Sequence, residues 1–304
     1  MAKKQLSIGL LVFSLFIMLT LSACGIDTTY PGTMNVVEAS KVGEEYLSSP
    51  KVIVIDARGQ EAYEKGHLKD AIQLSPAELV VETPVPNTLA AKDQVEKVLS
   101  DKGISNDSVV YIYDDNGGVN AGRVWWTLKV YGHENVMIVN GGASALVNEG
   151  LVITKDVLAT TKSKYVAKEA DQSMMVTFEE VKAQAESPAE NVKILDVRSV
   201  AEYEAGFIPG AILYPHTKNL YKDGTFMSSR DIGLFYKDLG LEKDETIILY
   251  CKTSFRATQT AALLQEAGYE NVKVYDGAWL EWESKMGVQT PTENMTPVNE
   301  SDGS

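Results

Sequence analysis

One cysteine in the second half of the chain has neighbours that suit a nucleophile. Cys251 directly follows the apolar run TIILY, which is typical of a buried strand, and a helical pattern begins at Phe255. The N-terminus of that helix and the cations Lys252 and Arg256 favour the thiolate over the thiol. A buried, inert cysteine is the alternative, but this position and these cations argue against it. We therefore predict that Cys251 attacks an electrophilic substrate.

The spacing between Cys251 and Arg256 restricts the chemistry of this loop. Four residues separate the two, whereas cysteine phosphatases use one residue more to enclose a tetrahedral phosphate. The shorter loop predicts a smaller anion site that fits one terminal sulfur atom, and it argues against phosphate-ester or arsenate chemistry. The other cysteine of the chain is Cys24, so a disulfide-forming reductase would lack its second thiol.

The sequence repeats itself, and the repeat places Cys251 in the second of two related copies. Residues 56–72 have the sequence DARGQEAYEKGHLKDAI, and residues 196–212 have the sequence DVRSVAEYEAGFIPGAI. A second pair of segments lies at nearly the same offset, GHENVMIVNGGA at 132–143 and GYENVKVYDGAW at 268–279. The shared order and the near-constant spacing indicate a tandem duplication.

Each copy alternates short apolar runs with helical patterns. The runs that we predict as strands are Val52–Ile55, Val109–Tyr113 and Val136–Val139 in the first copy, and Val192–Leu195, Thr246–Tyr250 and Val272–Tyr275 in the second. A helix is predicted from Phe255 to Ala267, with Gly268 at its end. This alternation predicts an α/β fold in which each copy forms a mostly parallel sheet flanked by helices. Ligands of such sheets bind beyond the carboxyl ends of the strands, which is where Cys251 lies.

Taken together, these motifs resemble the rhodanese superfamily. The matching features are the Asp-x-Arg motifs at Asp56 and Asp196, the Cys-x-x-x-x-Arg loop at Cys251, and the Asn-Val-x-x-x-(Asp/Asn)-Gly segment that closes each copy. The resemblance covers roughly residues 35–285 and implies two tandem rhodanese-like domains. It implies a sulfurtransferase in which Cys251 takes sulfur from a small anionic donor as a persulfide and passes it to cyanide or a thiol. We expect no metal or cofactor, because the sequence contains neither metal-ligand spacing nor a nucleotide-binding fingerprint.

The resemblance also implies which residues contact the substrate. They are Arg198 of the second Asp-x-Arg motif and the loop residues Lys252, Thr253, Ser254, Phe255 and Arg256. For Arg198 a structural ion pair with a nearby carboxylate is an equal alternative, and Asp196 is interpreted as structural. Related loops usually have glycine where this chain has Ser254, so a positive φ there would place the serine in a strained conformation.

The first copy lacks the nucleophile. Asp114 stands in its place and cannot hold a persulfide, so this copy is predicted to be catalytically silent. We interpret Arg123 as an ion-pair or packing residue, and Trp125 and Trp126 as part of the core or of an interface. His67 resembles a family position near the interdomain cleft, but we favour a histidine on the surface.

Thiosulfate is the donor that the loop favours, because Lys252 and Arg256 suit a small dianion. The alternative donor is 3-mercaptopyruvate, although the family members specialised for it have a loop poor in charge, Cys-Gly-Ser-Gly-Val-Thr, which this loop does not resemble. A non-enzymatic, surface-anchored module that relays persulfide to a protein partner needs the same cysteine and is the third hypothesis. Such a module would show poor turnover with small acceptors.

The N-terminus predicts where the protein works. Lys3 and Lys4 precede the apolar run from Leu6 to Leu21, and the run closes on Leu-Ser-Ala and Cys24. This pattern resembles a bacterial lipoprotein signal peptide over residues 1–23, which implies cleavage and acylation of Cys24. Acyl chains would hold the protein outside the cytoplasm at the bacterial cell membrane.

The remaining boundaries follow from the repeats and from composition. We expect a tether over 24–34, the silent domain over 35–150, a linker over 151–172, the catalytic domain over 173–287 and a disordered tail over 288–304. The net charge of −14 and the lack of a basic cluster beyond the first residues argue against a nucleic-acid partner.

Overall fold

The computed structural model describes residues 29–46 and 48–288, which form two α/β domains of the same architecture. Each domain contains a five-stranded parallel sheet flanked by helices, as the sequence predicted. The central strands are rich in valine and isoleucine, which is typical of strands that are buried on both faces. The predicted signal peptide with Cys24, and the predicted tail from residue 289 onward, lie outside the described residues.

The first domain ends with a short strand that lies inside the predicted linker 151–172. Its strands are β1 (Val36–Val37), β2 (Val52–Asp56), β3 (His67–Leu68), β4 (Ile72–Gln73), β5 (Val80–Val81), β6 (Thr88–Leu89), β7 (Val109–Tyr113), β8 (Val136–Val139) and β9 (Ile153–Thr154). Its helices are α1 (Ala39–Tyr46), α2 (Gln60–Lys65), α3 (Lys92–Asp101), α4 (Val119–Val130) and α5 (Gly142–Asn148). The sheet has the order β1-β8-β7-β2-β4, so β7 lies at its centre and directs its carboxyl end toward the N-terminus of α4.

The second domain repeats this arrangement. Its strands are β10 (Met175–Val176), β11 (Val192–Asp196), β12 (Ile212–Leu213), β13 (Thr246–Tyr250) and β14 (Asn271–Tyr275). Its helices are α6 (Phe178–Glu186), α7 (Val200–Glu204), α8 (Ser229–Asp238), α9 (Phe255–Glu266) and α10 (Ala278–Met286). The sheet order β10-β14-β13-β11-β12 matches that of the first domain, and β13 is its central strand. The predicted strands agree with these bounds to within one residue.

The two domains share one hydrophobic core. Helices α4 and α9 pack against each other, and Gly122 permits this because a Cβ there would lie 2.8 Å from the backbone of Gln259. Trp125 and Trp126 of α4 are fully buried in a cluster that also contains Leu264 of α9. The prediction that both tryptophans belong to the core or an interface is therefore confirmed. A shared core of this kind fixes the loop of Cys251 and the loop of Asp114 relative to each other.

The linker is fastened to the first domain, which overturns one prediction. β9 pairs antiparallel with β3 and covers His67, which has only 1% of its surface exposed. The imidazole stacks on Tyr63 at 3.5 Å, and its two nitrogens face the backbone oxygens of Tyr63 and Asp156. The prediction of a surface histidine is wrong, because the linker strand was not recognisable from two residues of sequence.

Packing begins before the predicted end of the tether. Tyr30 is buried, and its hydroxyl donates a hydrogen bond to the backbone oxygen of Met227 in the second domain. The backbone N–H of Asn35 donates to the carboxylate of Glu266 at 2.7 Å. Tyr30 and Asn35 therefore both contact the second domain. Within the described ranges, no helix combines the length and the apolar composition that crossing a membrane requires.

Candidate active site

Cys251 lies at the carboxyl edge of the second sheet, directly after β13. It is a free cysteine with only 1% of its surface exposed. Its backbone oxygen accepts a hydrogen bond from the N–H of Trp279 at 2.9 Å, which joins the loop to the start of α10. The loop ends at Ser254, whose φ of 67° is left-handed, and α9 begins at the next residue. The strand, the loop and the helix that the sequence predicted are all present, and so is the positive φ at the serine.

The matching loop of the first domain shows what such a backbone binds. Asp114 follows β7 and is buried, and its carboxyl oxygens accept hydrogen bonds of 2.9–3.3 Å from the backbone N–H groups of Asn116, Gly118, Asn120 and Ala121. Burial raises the pKa of Asp114, yet both oxygens only accept hydrogen bonds, which is the pattern of an ionised carboxylate. The loop and the first turn of α4 therefore bind an anion that the chain itself supplies.

The equivalent N–H groups of the second domain have no protein acceptor. Counted from the first residues of α4 and α9, the equivalents of Gly118, Asn120 and Ala121 are Ser254, Arg256 and Ala257. Within residues 29–46 and 48–288, none of these three N–H groups donates a hydrogen bond to a protein acceptor. The outer sulfur of a cysteine persulfide is as many bonds from the α-carbon as the carboxyl oxygens of aspartate are. These donors are therefore available to an anionic sulfur on Cys251.

Arg256 joins the cysteine loop to α7. Its two terminal guanidinium nitrogens donate to the two carboxylate oxygens of Glu202, at 2.7 and 2.8 Å. Burial works against the charge of Arg256, but the hydrogen bonds to Glu202 and the nearby Cys251 side chain raise its pKa. The hydrogen bonds from Arg256 lower the pKa of Glu202 to about 2. The pair therefore holds a permanent cation beside Cys251.

Glu202 was missed in the sequence, although two signals pointed to it. It stands three residues after Ser199, and the two form a capping box at the N-terminus of α7. In the first copy, Ala62 takes the place of Glu202 and Asn120 takes the place of Arg256. Because both partners are missing from the domain that lacks the cysteine, the pair belongs to the site and not to the fold.

The comparison with known proteins agrees with this duplicated site. Both halves of the chain, residues 41–149 and 177–285, match the rhodanese-like domain. The chain belongs to the rhodanese family. It is 31% identical over 273 residues to a Mycobacterium bovis protein with the provisional name thiosulfate sulfurtransferase 1, across 84% of this chain and 96% of the relative. It is also 31% identical to the sulfur carrier protein TtuD of Thermus thermophilus, across 81% of this chain and 92% of that protein.

A solved structure confirms the arrangement of the two rhodanese domains. SseA of Escherichia coli, described as a 3-mercaptopyruvate sulfotransferase, superposes with a TM-score of 0.74 at 25% sequence identity. The superposition covers 81% of this chain and 99% of SseA. The chain is therefore a two-domain member of the rhodanese sulfurtransferase family. The names of its relatives differ: one refers to thiosulfate, one to 3-mercaptopyruvate and one to a sulfur carrier.

Both rhodanese domains contain the same ion pair after the first long strand. Arg198 donates to Asp196 at 2.6 and 2.9 Å, and Arg58 donates to Asp56 at 2.6 and 2.9 Å. The arginine of the second domain has 2% of its side chain exposed. Because the domain without the cysteine preserves this geometry, the structure favours the ion-pair interpretation of Arg198 over donor binding.

The other predicted loop residues differ in what they can reach. Lys252 is exposed, and Thr253 and Phe255 are half-buried, so all three can line the entrance to Cys251. Ser254 is fully buried, and its hydroxyl contacts Arg123 of the first domain instead of the entrance. Ser254 can therefore contact the substrate through its backbone N–H but not through its hydroxyl.

His216, which no motif of the sequence singled out, also lies near the Arg256–Glu202 pair. It opens the short 3-10 turn His216–Asn219 after β12, and its backbone N–H donates to Val197 at 3.1 Å. Its Nδ1 is buried and has no hydrogen-bond partner among the described residues. Burial, followed by the charge of Arg256, lowers the pKa of His216. A neutral imidazole therefore borders the site at neutral pH.

Proposed function

We propose that this rhodanese moves sulfane sulfur from thiosulfate to a thiophilic acceptor through a persulfide on Cys251. The observation that carries the proposal is the set of backbone N–H groups after Cys251, whose equivalents bind the Asp114 carboxylate in the first domain. The cation Arg256 beside the thiol and the exposed Lys252 favour a small dianionic donor. The relative named for thiosulfate adds support.

The first half-reaction loads the cysteine. The Cys251 thiolate attacks the outer sulfur of thiosulfate, the sulfur–sulfur bond of the donor breaks, and sulfite leaves with the electron pair. The N–H groups of Ser254, Arg256 and Ala257 then stabilise the negative charge on the outer sulfur of the persulfide. The second half-reaction unloads it. Cyanide or a thiolate attacks the outer sulfur, and Cys251 leaves as a thiolate, which restores the enzyme.

Sulfur transfer from thiosulfate to cyanide tests this proposal. The full chain, purified in detergent, is assayed beside Cys251→Ala, and we expect turnover that the variant lacks. The same assay with 3-mercaptopyruvate compares the two donors, and we expect a lower kcat/KM because that donor carries one charge less. A higher kcat/KM with 3-mercaptopyruvate would show that 3-mercaptopyruvate, and not thiosulfate, is the preferred donor. Inactivity with both donors would end the small-molecule enzyme proposal.

A persulfide relay is the second candidate function. The observation that favours it is the similarity to TtuD, a protein named as a sulfur carrier. A relay would form a stable persulfide on Cys251 with thiosulfate, turn over slowly with cyanide or small thiols, and transfer sulfur rapidly to one protein. Single-turnover persulfide loading, followed by unloading with small thiols, separates the two functions. Rapid unloading by small thiols favours the enzyme.

We propose in addition that acyl chains on Cys24 anchor the protein outside the cytoplasm. The support is the Leu21-Ser22-Ala23-Cys24 tetrad after a charged and apolar leader. Metabolic labelling with a palmitate analogue should mark the wild-type protein and not Cys24→Ser. Equal labelling of both proteins would contradict the anchor.

A further inference from the structure

The catalytic loop is tied to the first domain through one hydroxyl. Ser254 is fully buried, and its Oγ accepts a hydrogen bond from the guanidinium of Arg123 at 2.6 Å. The same Oγ lies 2.9 Å from a carboxylate oxygen of Asp276, which follows β14, and 2.6 Å from the backbone oxygen of the preceding residue, Thr253. Arg123 belongs to α4 of the domain that lacks a nucleophile. The loop therefore depends on a contact between residues that are 131 positions apart.

Arg123 is itself held rigidly. Its guanidinium donates to the Asp276 carboxylate at 2.6 Å and to the backbone oxygen of Asn87 at 3.0 Å. The second oxygen of Asp276 accepts the backbone N–H of Leu89 at 2.6 Å. Arg123 also lies over the ring of Phe255, the first residue of α9, with 5.2 Å between the guanidinium carbon and the ring centre. Both charges of the pair are thus buried, paired and hydrogen-bonded, which fixes their positions.

The conformation of Ser254 explains why the loop needs this contact. A serine at a φ of 67° is strained by about 1–2 kcal/mol, whereas a glycine is not. The backbone N–H of Ser254 is one of the donors available to the persulfide, and its direction depends on this φ. Loss of Arg123 would remove one partner of the hydroxyl and also the cation that holds its second partner, Asp276, in place. The serine would then relax to a negative φ and turn that N–H away from Cys251.

We propose that Arg123 is a positioning residue for the persulfide loop, which it holds in the left-handed conformation through the hydroxyl of Ser254. This inference rests on the proposed persulfide chemistry of Cys251. It gives the first domain a part in the reaction although that domain lacks a nucleophile.

The opposite side of the domain interface provides a control. Gln259 of α9 is the counterpart of Arg123 of α4, and its amide donates to the backbone oxygen of Gly117 in the loop of the first domain at 2.9 Å. That loop contains Gly117 and Gly118, which both have a positive φ without the strain of a side chain. Gln259 therefore bridges the same two domains without holding the catalytic serine.

The test is a double-mutant cycle on the full chain, with both half-reactions measured separately. The variants are Arg123→Gln, Ser254→Gly, the double variant, and Gln259→Met as the matched control. We expect Arg123→Gln to lower kcat/KM for thiosulfate about tenfold, because the N–H of Ser254 no longer stabilises the forming persulfide. We expect kcat/KM for cyanide to change less than about twofold, because that N–H binds the persulfide and the following transition state alike. Gln259→Met should change neither value by more than about twofold.

The Ser254→Gly background decides whether Arg123 acts through the serine. Glycine adopts the positive φ unaided, so adding Arg123→Gln there should lower kcat/KM for thiosulfate by less than about threefold. Should Arg123→Gln fail to fold, Ser254→Ala replaces it, and its kcat/KM should lie about fivefold below that of Ser254→Gly. Equal losses in both backgrounds, equal losses for both substrates, or equal values for the alanine and glycine variants would overturn the inference. An inactive wild type would instead refute the proposed function.

Discussion

Replacing Glu202 by glutamine isolates the ion pair beside the cysteine. Glutamine can occupy the same position of the α7 capping box, so the helix start is preserved while one charge of the pair is lost. The matched control is Glu204→Gln, which removes the same charge from an exposed residue of the same helix. The difference between the two variants therefore reports the contact of Glu202 with Arg256.

The size of the effect follows from the pKa of Glu202. In the folded protein the pKa of Glu202 falls from 4.5 to about 2. For a fully buried group, this shift would correspond to about 3 kcal/mol of unfolding free energy. The side chain of Glu202 is 32% exposed, so solvent screening reduces the expected loss in unfolding free energy to about 1–2 kcal/mol at pH 7. Arg256 also loses its fixed orientation, and we expect kcat/KM for thiosulfate to fall about tenfold.

The pH dependence gives the sharper check on this reasoning. The folded-state pKa of Glu202 lies below the unfolded value, so its stabilisation is complete above pH 4.5 and is lost as the pH falls through about 2. Urea unfolding measures the free energy of unfolding of the wild type and of Glu202→Gln at pH 7 and at pH 3. The difference between the two proteins should be about half as large at pH 3 as at pH 7. The role of the pair would be refuted if the loss of unfolding free energy in Glu202→Gln stayed constant with pH. It would also be refuted if Glu204→Gln lost as much unfolding free energy as Glu202→Gln.

Three further predictions concern the other charged groups. Arg256→Lys keeps the charge but loses the forked contact with its carboxylate, so kcat/KM for thiosulfate should fall about tenfold or more, and an unchanged value would contradict the assignment. Arg198→Lys and Arg58→Lys should each lower the unfolding free energy by about 1–3 kcal/mol and leave KM for thiosulfate unchanged, whereas a rise in KM for Arg198→Lys alone would show that Arg198 binds the donor. Asp114→Ala leaves four backbone N–H groups without their acceptor, so the melting temperature should drop while kcat/KM per Cys251 thiol stays within about twofold.

Local patterns predicted the fold and the position of Cys251 within it. The strand before Cys251 and the helix after it are continuous in the sequence, and the duplication supplied a second observation of each predicted strand. The loop between them is short, so its ends fix the place of the cysteine at the sheet edge. The ion pair of Arg123 was predictable because a charged residue among apolar ones in a helix needs a partner. The burial of the tryptophans was predictable because large apolar side chains of such a helix face the core.

No local pattern predicts the contacts that shape the site, because they join distant parts of the chain. Glu202 and Arg256 are 54 positions apart, and no periodic pattern relates them. The partner of Ser254 comes from the other domain, so the sequence revealed the strained position without revealing what holds it. His67 was assigned to the surface because the two residues of β9 that cover it carry too little pattern to predict a strand.

The most direct test of the account is the mass of the intact chain after incubation with thiosulfate and removal of excess donor. We predict that the wild type gains the mass of one sulfur atom, that peptide mapping places it on Cys251, and that cyanide removes it with the release of one equivalent of thiocyanate. Cys251→Ser should gain nothing. An unmodified wild type, or a sulfur atom that persists in Cys251→Ser, would contradict a persulfide at Cys251.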